Sequence, residues 1–279
     1  MLEALLEEVL PLFESLYVHI GGDEAPKTEW EQCPDCRKKV LELGLSDFNE
    51  LQGYFTERVA KMLRERGKTP VCWNETVIAS NYLKDIVVQY WTLNHRVSME
   101  RYVSEGGKWF YSDMFELYFD YPYSMTPLKK VYETAPHLGK KTVDDRNGLM
   151  GMECCLWTEH ISDPAVLERR LFPRVLALAE RCWGTRERYE DFLSRLRSLI
   201  AKPLFGGISF TPDDWWGPKG KARREEAIGY FLSLNRGMSE EVREQTVQSS
   251  RPNKEFAQSF MTKFFHVSDL PVLLCAMKK

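Results

Sequence analysis

Tyr17-Val18-His19-Ile20-Gly21-Gly22-Asp23-Glu24 is the stretch on which the reading of this chain turns. A short apolar run rich in β-formers stops at two glycines, and the next two side chains are carboxylates. The backbone therefore leaves a buried strand and delivers paired charge at its rim. At a partly dry strand end two adjacent carboxylates do not both ionise cheaply, so one pKa is expected to rise, leaving a protonated acid beside an ionised partner. Glu24, the longer arm, is the expected proton donor. An Asp-Glu pair after Gly-Gly also suits the cap of a following helix, and the dipeptide alone does not choose between the two.

The rest of the chain repeats the pattern. Pro70-Val71-Cys72-Trp73 closes on Asn74-Glu75, and Ile86-Val87-Val88-Gln89-Tyr90-Trp91 follows. Lys108 to Asp113 is a fourth such run, and Leu149 to Leu156, ending in Trp157-Thr158-Glu159, a fifth. Helices are expected over Met1 to Phe13, Arg37 to Leu43, Phe48 to Arg66 with Ser46 or Asp47 as N-cap, and His95 to Ser104. Two more are expected from Pro164 to Trp183, kinked or broken at Pro173, and from Glu187 to Ile200. Ala25 to Gln32 reads as a polar loop, and residues 114–148 as a long irregular segment.

Strand followed by helix, with polar and aromatic residues at each strand's C-terminal end, is the signature of an α/β fold of the parallel (β/α) TIM-barrel type. A doubly wound open sheet competes, but no Gly-x-Gly-x-x-Gly turn supports it. Only about five βα units are found, whereas a closed barrel needs eight, so the expectation is an incomplete barrel with open apolar edges. Residues 1–202 are assigned to this partial barrel and 203–279 to a C-terminal helical extension, with polar helices near Glu225 to Asn235 and Ser239 to Val247.

The 279 residues are 43% hydrophobic and 13% aromatic, ample for a packed core. A net charge of −3 gives no electrostatic reason to expect nucleic acid, and the basic run Lys219 to Arg224 is answered at once by Glu225 and Glu226. No apolar run approaches the roughly 18 residues of a membrane span, and no secretory leader is visible. Seven cysteines, an odd number, with Cys72 and Cys182 in apolar segments, suit reduced core thiols in a cytoplasm. Cys33-Pro34-Asp35-Cys36 has metal or redox spacing, but without a second pair a plain loop with two thiols competes with both. No cofactor is implied.

His19-Ile20-Gly21-Gly22-Asp23-Glu24, Trp73-Asn74-Glu75, Gln89-Tyr90-Trp91, Leu117-Tyr118-Phe119-Asp120, Cys155-Leu156-Trp157-Thr158-Glu159 and Phe172-Pro173-Arg174 through Trp183 stand in an order that resembles family 20 glycoside hydrolases, the β-N-acetylhexosaminidases. The resemblance covers roughly residues 1 to 200. Adjacent carboxylates are poorly placed to flank a sugar ring at the roughly 5 Å of the two-carboxylate retaining scheme. The family supplies the missing nucleophile, because the substrate's own acetamido group attacks its anomeric carbon and gives an oxazoline. By this resemblance Asp23 orients and charge-stabilises the acetamide N–H, Glu24 protonates the leaving oxygen and later activates water, and Tyr118 hydrogen-bonds the acetamide oxygen. Trp73, Trp91 and Trp157 wall the pocket, and Asp120 and Glu159 accept hydroxyl hydrogens from a terminal N-acetylhexosamine.

Each of these residues also has a plainer reading. A tryptophan at a strand end is often a core lid, Asp120 suits turn chemistry before Pro122, and Glu159 suits a helix start. His19 reads as a hydrogen-bonded core histidine, and Glu75 and Asp113 as rim carboxylates without an assigned role. In the family, the Gly21 to Glu24 motif ends the fourth barrel strand. The resemblance therefore implies that the first three strands are missing, and with them an arginine that grips sugar hydroxyls and an Asp-His pair that supports the acid. Four functional readings follow. They are an exo-acting hydrolase, a sugar-binding remnant, a subunit whose barrel is completed by a homo-oligomeric or other complementing chain, and a metal enzyme built on Cys33, Cys36 and the Asp-Glu pair.

Overall fold

The computed structural model describes residues 1–79, 85–138, 141–142, 148–159, 161–184 and 188–234. They fall into two compact units, one of Met1–Tyr111 with Pro136–Gly151, the other of Ser112–Ala135 with the described residues from Met152 onward.

The first unit is a parallel sheet with helices. Helix α1 (Leu2–Val9) leads through a 3₁₀ turn at Leu10–Leu12 into strand β1 (Tyr17–His19). The stretch read as a polar loop holds a short helix, α2 (Thr28–Gln32), and α3 (Pro34–Glu42) follows at once, with Pro34 at its first position. Helix α4 (Phe48–Arg64) is capped by Asp47, whose side chain accepts the Glu50 N–H at 2.9 Å, while Glu50 reaches back to the Ser46 N–H at 2.7 Å. Its buried residues, Gly53, Thr56, Val59, Ala60 and Leu63, recur at helical spacing and form one face.

Strands β2 (Thr69–Trp73), β3 (Val87–Tyr90) and β4 (Trp109–Tyr111) follow, with helix α5 (Arg96–Ser104) before the last. The two-residue strands β5 (His137–Leu138) and β6 (Lys141–Thr142) pair antiparallel, and β7 (Leu149–Met152) completes a sheet of order β1-β2-β3-β4-β7. Tyr17 is in register with Thr69, Val71 with Val87 and Val88 with Trp109, all parallel. The middle of the sheet is dry: every residue of β3 is buried, and Cys72, Val88, Tyr90, Trp109 and Tyr111 have no accessible surface. Each such aliphatic side chain contributes about 1.5–3 kcal/mol of transfer free energy. Strand β1 differs, with Tyr17 45% exposed, and a groove of about 730 Å³ lies along it, lined by Leu6, Val9, Phe13, Val18, Ile20 and Phe55.

The second unit is mainly helical. Helix α6 (Leu128–Glu133) packs on α8 (Arg174–Trp183), and Tyr132 stacks on Phe192 of α9 (Tyr189–Ile200) with ring centroids 4.6 Å apart. Helix α7 (Pro164–Leu171), capped by Asp163, precedes α8, and α10 (Gly220–Leu234) ends the described chain. Pro173 separates α7 from α8, so the long helix expected from Pro164 is two.

Several expectations need correction. The strand expected to run to Leu156 stops at Met152, and only Cys155 re-forms a bridge, to Tyr118. After β2 comes a 3₁₀ turn (Asn74–Ile78) in place of an immediate α-helix. His19 is exposed, because its strand has a neighbour on one side only among the described residues. The helix expected near Ser239 to Val247 lies outside the described residues, as does Glu187.

Candidate active site

In the first unit the chain leaves β1 through Gly21 and Gly22, with φ of +72° and +101°. The ladder still holds there, with the Ile20 N–H on the Val71 carbonyl at 2.8 Å and the Trp73 N–H on the Gly21 carbonyl at 3.0 Å. A Cβ at Gly22 would sit 2.4 Å from Thr76 Oγ1, so both the dihedral and the close approach require glycine. Glu24 itself has a φ of +46°, which is rare for a residue with a Cβ and costs on the order of 1–3 kcal/mol unless its surroundings fix it.

Those surroundings are the ends of β2 and β3. Asn74, fully buried, accepts the N–H groups of Trp91 at 3.0 Å and Thr92 at 3.3 Å, and donates to the carbonyls of Thr92 at 3.0 Å and Asn94 at 3.2 Å. Glu75 uses both carboxylate oxygens. Oε1 accepts the Glu24 N–H at 3.2 Å and Oε2 accepts the Trp91 indole N–H at 3.0 Å. Burial pushes the Glu75 carboxyl above its ordinary range; hydrogen bonds from Glu24 and Trp91 pull it back, and the charges of Asp23 and Glu24 push it further up. Asp23 and Glu24 stand exposed at the rim rather than at a partly dry strand end. Trp73 and Trp91 meet edge-to-face at 6.4 Å, and His19 lies 4.7 Å from Trp73, its Nδ1 accepting the Gly21 N–H at 3.0 Å.

In the second unit Tyr118, Asp120, Trp157 and Glu159 come together. The Phe119 N–H donates to the Cys155 carbonyl at 2.7 Å and the Cys155 N–H to the Leu117 carbonyl at 3.0 Å, so the bridge sets Tyr118 beside Trp157, ring centroids 6.3 Å apart. Burial raises the Tyr118 hydroxyl above its ordinary range and keeps it a neutral donor. Burial also pushes Asp120 up to about 6, opposed by its own backbone N–H and by Arg174 and reinforced by Glu159. Asp120 Oδ1 has no hydrogen-bond partner among the described residues and is a free acceptor. Trp157 is 41% exposed and Glu159 is exposed.

Arg174 holds this segment. Fully buried, it donates to the carbonyls of Tyr121 at 2.9 Å, Thr126 at 3.2 Å, Phe119 and Arg170, between the rings of Tyr123 and Phe119. Sequence reasoning assigned neither Arg174 nor Asn74 nor Glu75 a role. The signal for Arg174 was a charge at i of the apolar i, i+3, i+4 face that it shares with Ala177 and Leu178. For the other two it was a polar pair directly after a buried strand.

Among the described residues no three His, Cys, Asp or Glu side chains gather as a metal set. The Cys33 thiol caps α3 by accepting the Cys36 N–H at 3.4 Å. No helix among the described residues is long and apolar enough to cross a membrane.

The model of the glycosyl hydrolase family 20 catalytic domain matches residues 1–186. A β-hexosaminidase of Porphyromonas gingivalis is 29% identical over 229 residues, covering 74% of this chain and 28% of its own length. One of Akkermansia muciniphila is 30% identical over 216 residues, covering 71% and 43%. Among solved structures, an exo β-N-acetylglucosaminidase of Vibrio harveyi, in complex with N-acetylglucosamine, superposes with a TM-score of 0.67 at 28% identity, over 75% of this chain and 35% of that one. A β-N-acetylhexosaminidase of Bacteroides fragilis gives 0.65 at 30%, over 76% and 45%. The chain thus spans less than half the length of these relatives. With the family model matching two thirds of its residues, strand ends and carboxylate pair included, the chain belongs to glycosyl hydrolase family 20.

Proposed function

We propose that these residues form part of an exo-acting β-N-acetylhexosaminidase that removes terminal β-linked N-acetylglucosamine or N-acetylgalactosamine by substrate-assisted, retaining catalysis. The observation that carries the reading is the Asp23–Glu24 pair at the end of a parallel strand, its acid tied through Glu75 to an indole, inside the matched family region. Asp23 orients the acetamide so that its oxygen attacks the anomeric carbon. Glu24 gives its proton to the departing oxygen and, as the resulting carboxylate, takes one from the water that opens the oxazoline. Tyr118 donates to the acetamide oxygen, the indoles of Trp73, Trp91 and Trp157 cover apolar sugar faces, and Asp120 and Glu159 accept sugar hydroxyls. Hydrolysis of an aryl β-N-acetylglucosaminide tests this. Glu24→Gln and Asp23→Asn are expected to lower the rate by about 10²–10⁴-fold, and no turnover above the Glu24→Gln background rejects the enzyme reading for this chain.

A second reading concerns the barrel. A five-stranded sheet with β1 to β4 parallel, the exposed β1 and the apolar groove beside it support an incomplete barrel whose open edge is covered by a further strand-bearing segment, in the same polypeptide or in a complementing chain. Light scattering tests it, since a well-behaved, active monomer of these 279 residues argues against the need for a cover.

A further inference from the structure

Glu75 is a rim carboxylate that the proposed chemistry does not use, yet its two oxygens are spent on two parts of the site far apart in sequence. Oε1 receives the amide of Glu24, 51 positions away, and Oε2 the indole N–H of Trp91, 16 positions away. Glu24 sits in the left-handed region after two glycines that also have positive φ, so nothing in its own stretch of backbone prefers the observed conformation. Trp91 lies just past the end of β3. Asn74 takes the backbone N–H of Trp91 and Glu75 its indole N–H, so two consecutive residues grip the tryptophan at both ends.

We propose that Glu75 is a positioning residue that couples the two sides of the sugar site, one carboxylate setting both the backbone of the acid Glu24 and the plane of the Trp91 ring. The inference rests on the reading of Glu24 as the general acid. The chemistry demands an ionised group at 75. A carboxylate is an acceptor at both oxygens and satisfies two N–H donors, whereas a protonated acid or an amide turns one of those positions into a donor and must release a partner. Losing either bond frees one side of the site, and a displaced acid costs rate out of proportion to the small shift involved. The charged groups that act here are Asp23 and Glu24 from the β1 end and Lys27, with His95 at the start of α5 next in line behind Lys27. The two acids oppose ionisation of Glu75 and Lys27 favours it. Burial contributes more than either.

The test separates this inference from the hydrolase reading. In ¹⁵N-labelled protein, the backbone amide of residue 24 and the indole Nε1–H of Trp91 are followed by NMR between about pH 4 and 8, in the Glu24→Gln background so that residue 24 does not titrate itself. Both resonances are expected to move with one common midpoint, above the ordinary glutamate value of 4.5, and both titrations are expected to vanish when Glu75→Gln is added. Two distinct midpoints, or a common titration that survives Glu75→Gln, overturn the proposal. The first of these outcomes needs no substitution at 75, so a variant that fails to fold does not shield the idea. No substrate is involved either, so an inactive chain sinks the hydrolase reading alone. Where turnover is present, Glu75→Gln in the otherwise native chain is expected to slow a poor leaving group, such as a methoxyphenol, about 10–100-fold and a nitrophenol only a few-fold, because the latter needs little help from a placed acid. Equal slowing of the two shows that residue 75 does not act through Glu24.

Discussion

The two groups of site residues are held in opposite ways. In the first unit the candidate carboxylates Asp23 and Glu24 stand exposed, and the order lies beneath them, where the consecutive side chains Asn74 and Glu75 tie the ends of three parallel strands through six hydrogen bonds. In the second unit Tyr118 and Asp120 lie on irregular backbone, and a single buried guanidinium takes the place of regular secondary structure by collecting the carbonyls of Phe119, Tyr121 and Thr126. A strand end supplies direction for free, because the sheet has already fixed the backbone, and needs only local stitching. An irregular segment has no such frame. Its carbonyls, removed from water, must find a donor, and five N–H groups on one rigid plane are the most compact source.

The largest effect is therefore expected at Arg174. Arg174→Met keeps an apolar stem of similar length but leaves three buried carbonyls without a donor, and the partners, being backbone, cannot be substituted in compensation. The expected loss is about 3–5 kcal/mol, read as a fall in the urea midpoint. A fall below about 1 kcal/mol would show that the segment is held by its other packing. Asn74→Ala is expected to cost less, about 2–4 kcal/mol, since the strands survive it. Hydrogen exchange at the amides of Trp91 and Thr92 should accelerate while that at Val88 and Tyr90 stays protected, and uniform acceleration across β3 would erase the distinction drawn between stitching and framing.

The smallest effect is a pH dependence that sharpens the same contrast. Asp120 is raised from 3.8 to about 6 by burial. Below its ordinary value the group is protonated in both folded and unfolded chains. As pH rises through the window from about 4 to about 6 the unfolded chain ionises first, so the folded state loses stability, by ~3 kcal/mol at most, and recovers none above it. Thermal melts across this window should converge or cross for wild type and Asp120→Asn, with the variant gaining relative to wild type as pH rises. Binding of sugar hydroxyls by the ionised Asp120 should strengthen over the same range, so stability and ligand affinity move in opposite directions. Parallel movement would mean that Asp120 does not face the ligand as an acceptor.

Much of the frame was legible from residue order. Val71-Cys72-Trp73 and Val87 to Tyr90 read as buried parallel strands, and Ser46 or Asp47 as N-cap marked the start of α4. The long strand drawn to Leu156 failed because apolar character was taken for pairing. Leu149–Met152 joins the sheet, but past Met152 only Cys155 forms a bridge, and a run of small and sulfur-bearing residues carries no signal of where its hydrogen bonds go. Tyr118 and Asp120 were placed by resemblance, and no periodicity could have found them on a segment without any.

Residue order by itself determined the identity of the strands, the break at Gly21-Gly22 that presents Asp23 and Glu24, and the family to which the pattern belongs. These depend on local dihedral preference and on the period of apolar side chains, both written in neighbouring residues. Only the tertiary structure decided that Glu75 shares its two oxygens between residues 24 and 91, that Arg174 feeds carbonyls 48 to 55 positions away, and that Asp120 is the carboxyl pushed to about 6. Hydrogen bonding and desolvation depend on which atoms meet after the chain has folded back on itself, and sequence separation places no limit on that meeting.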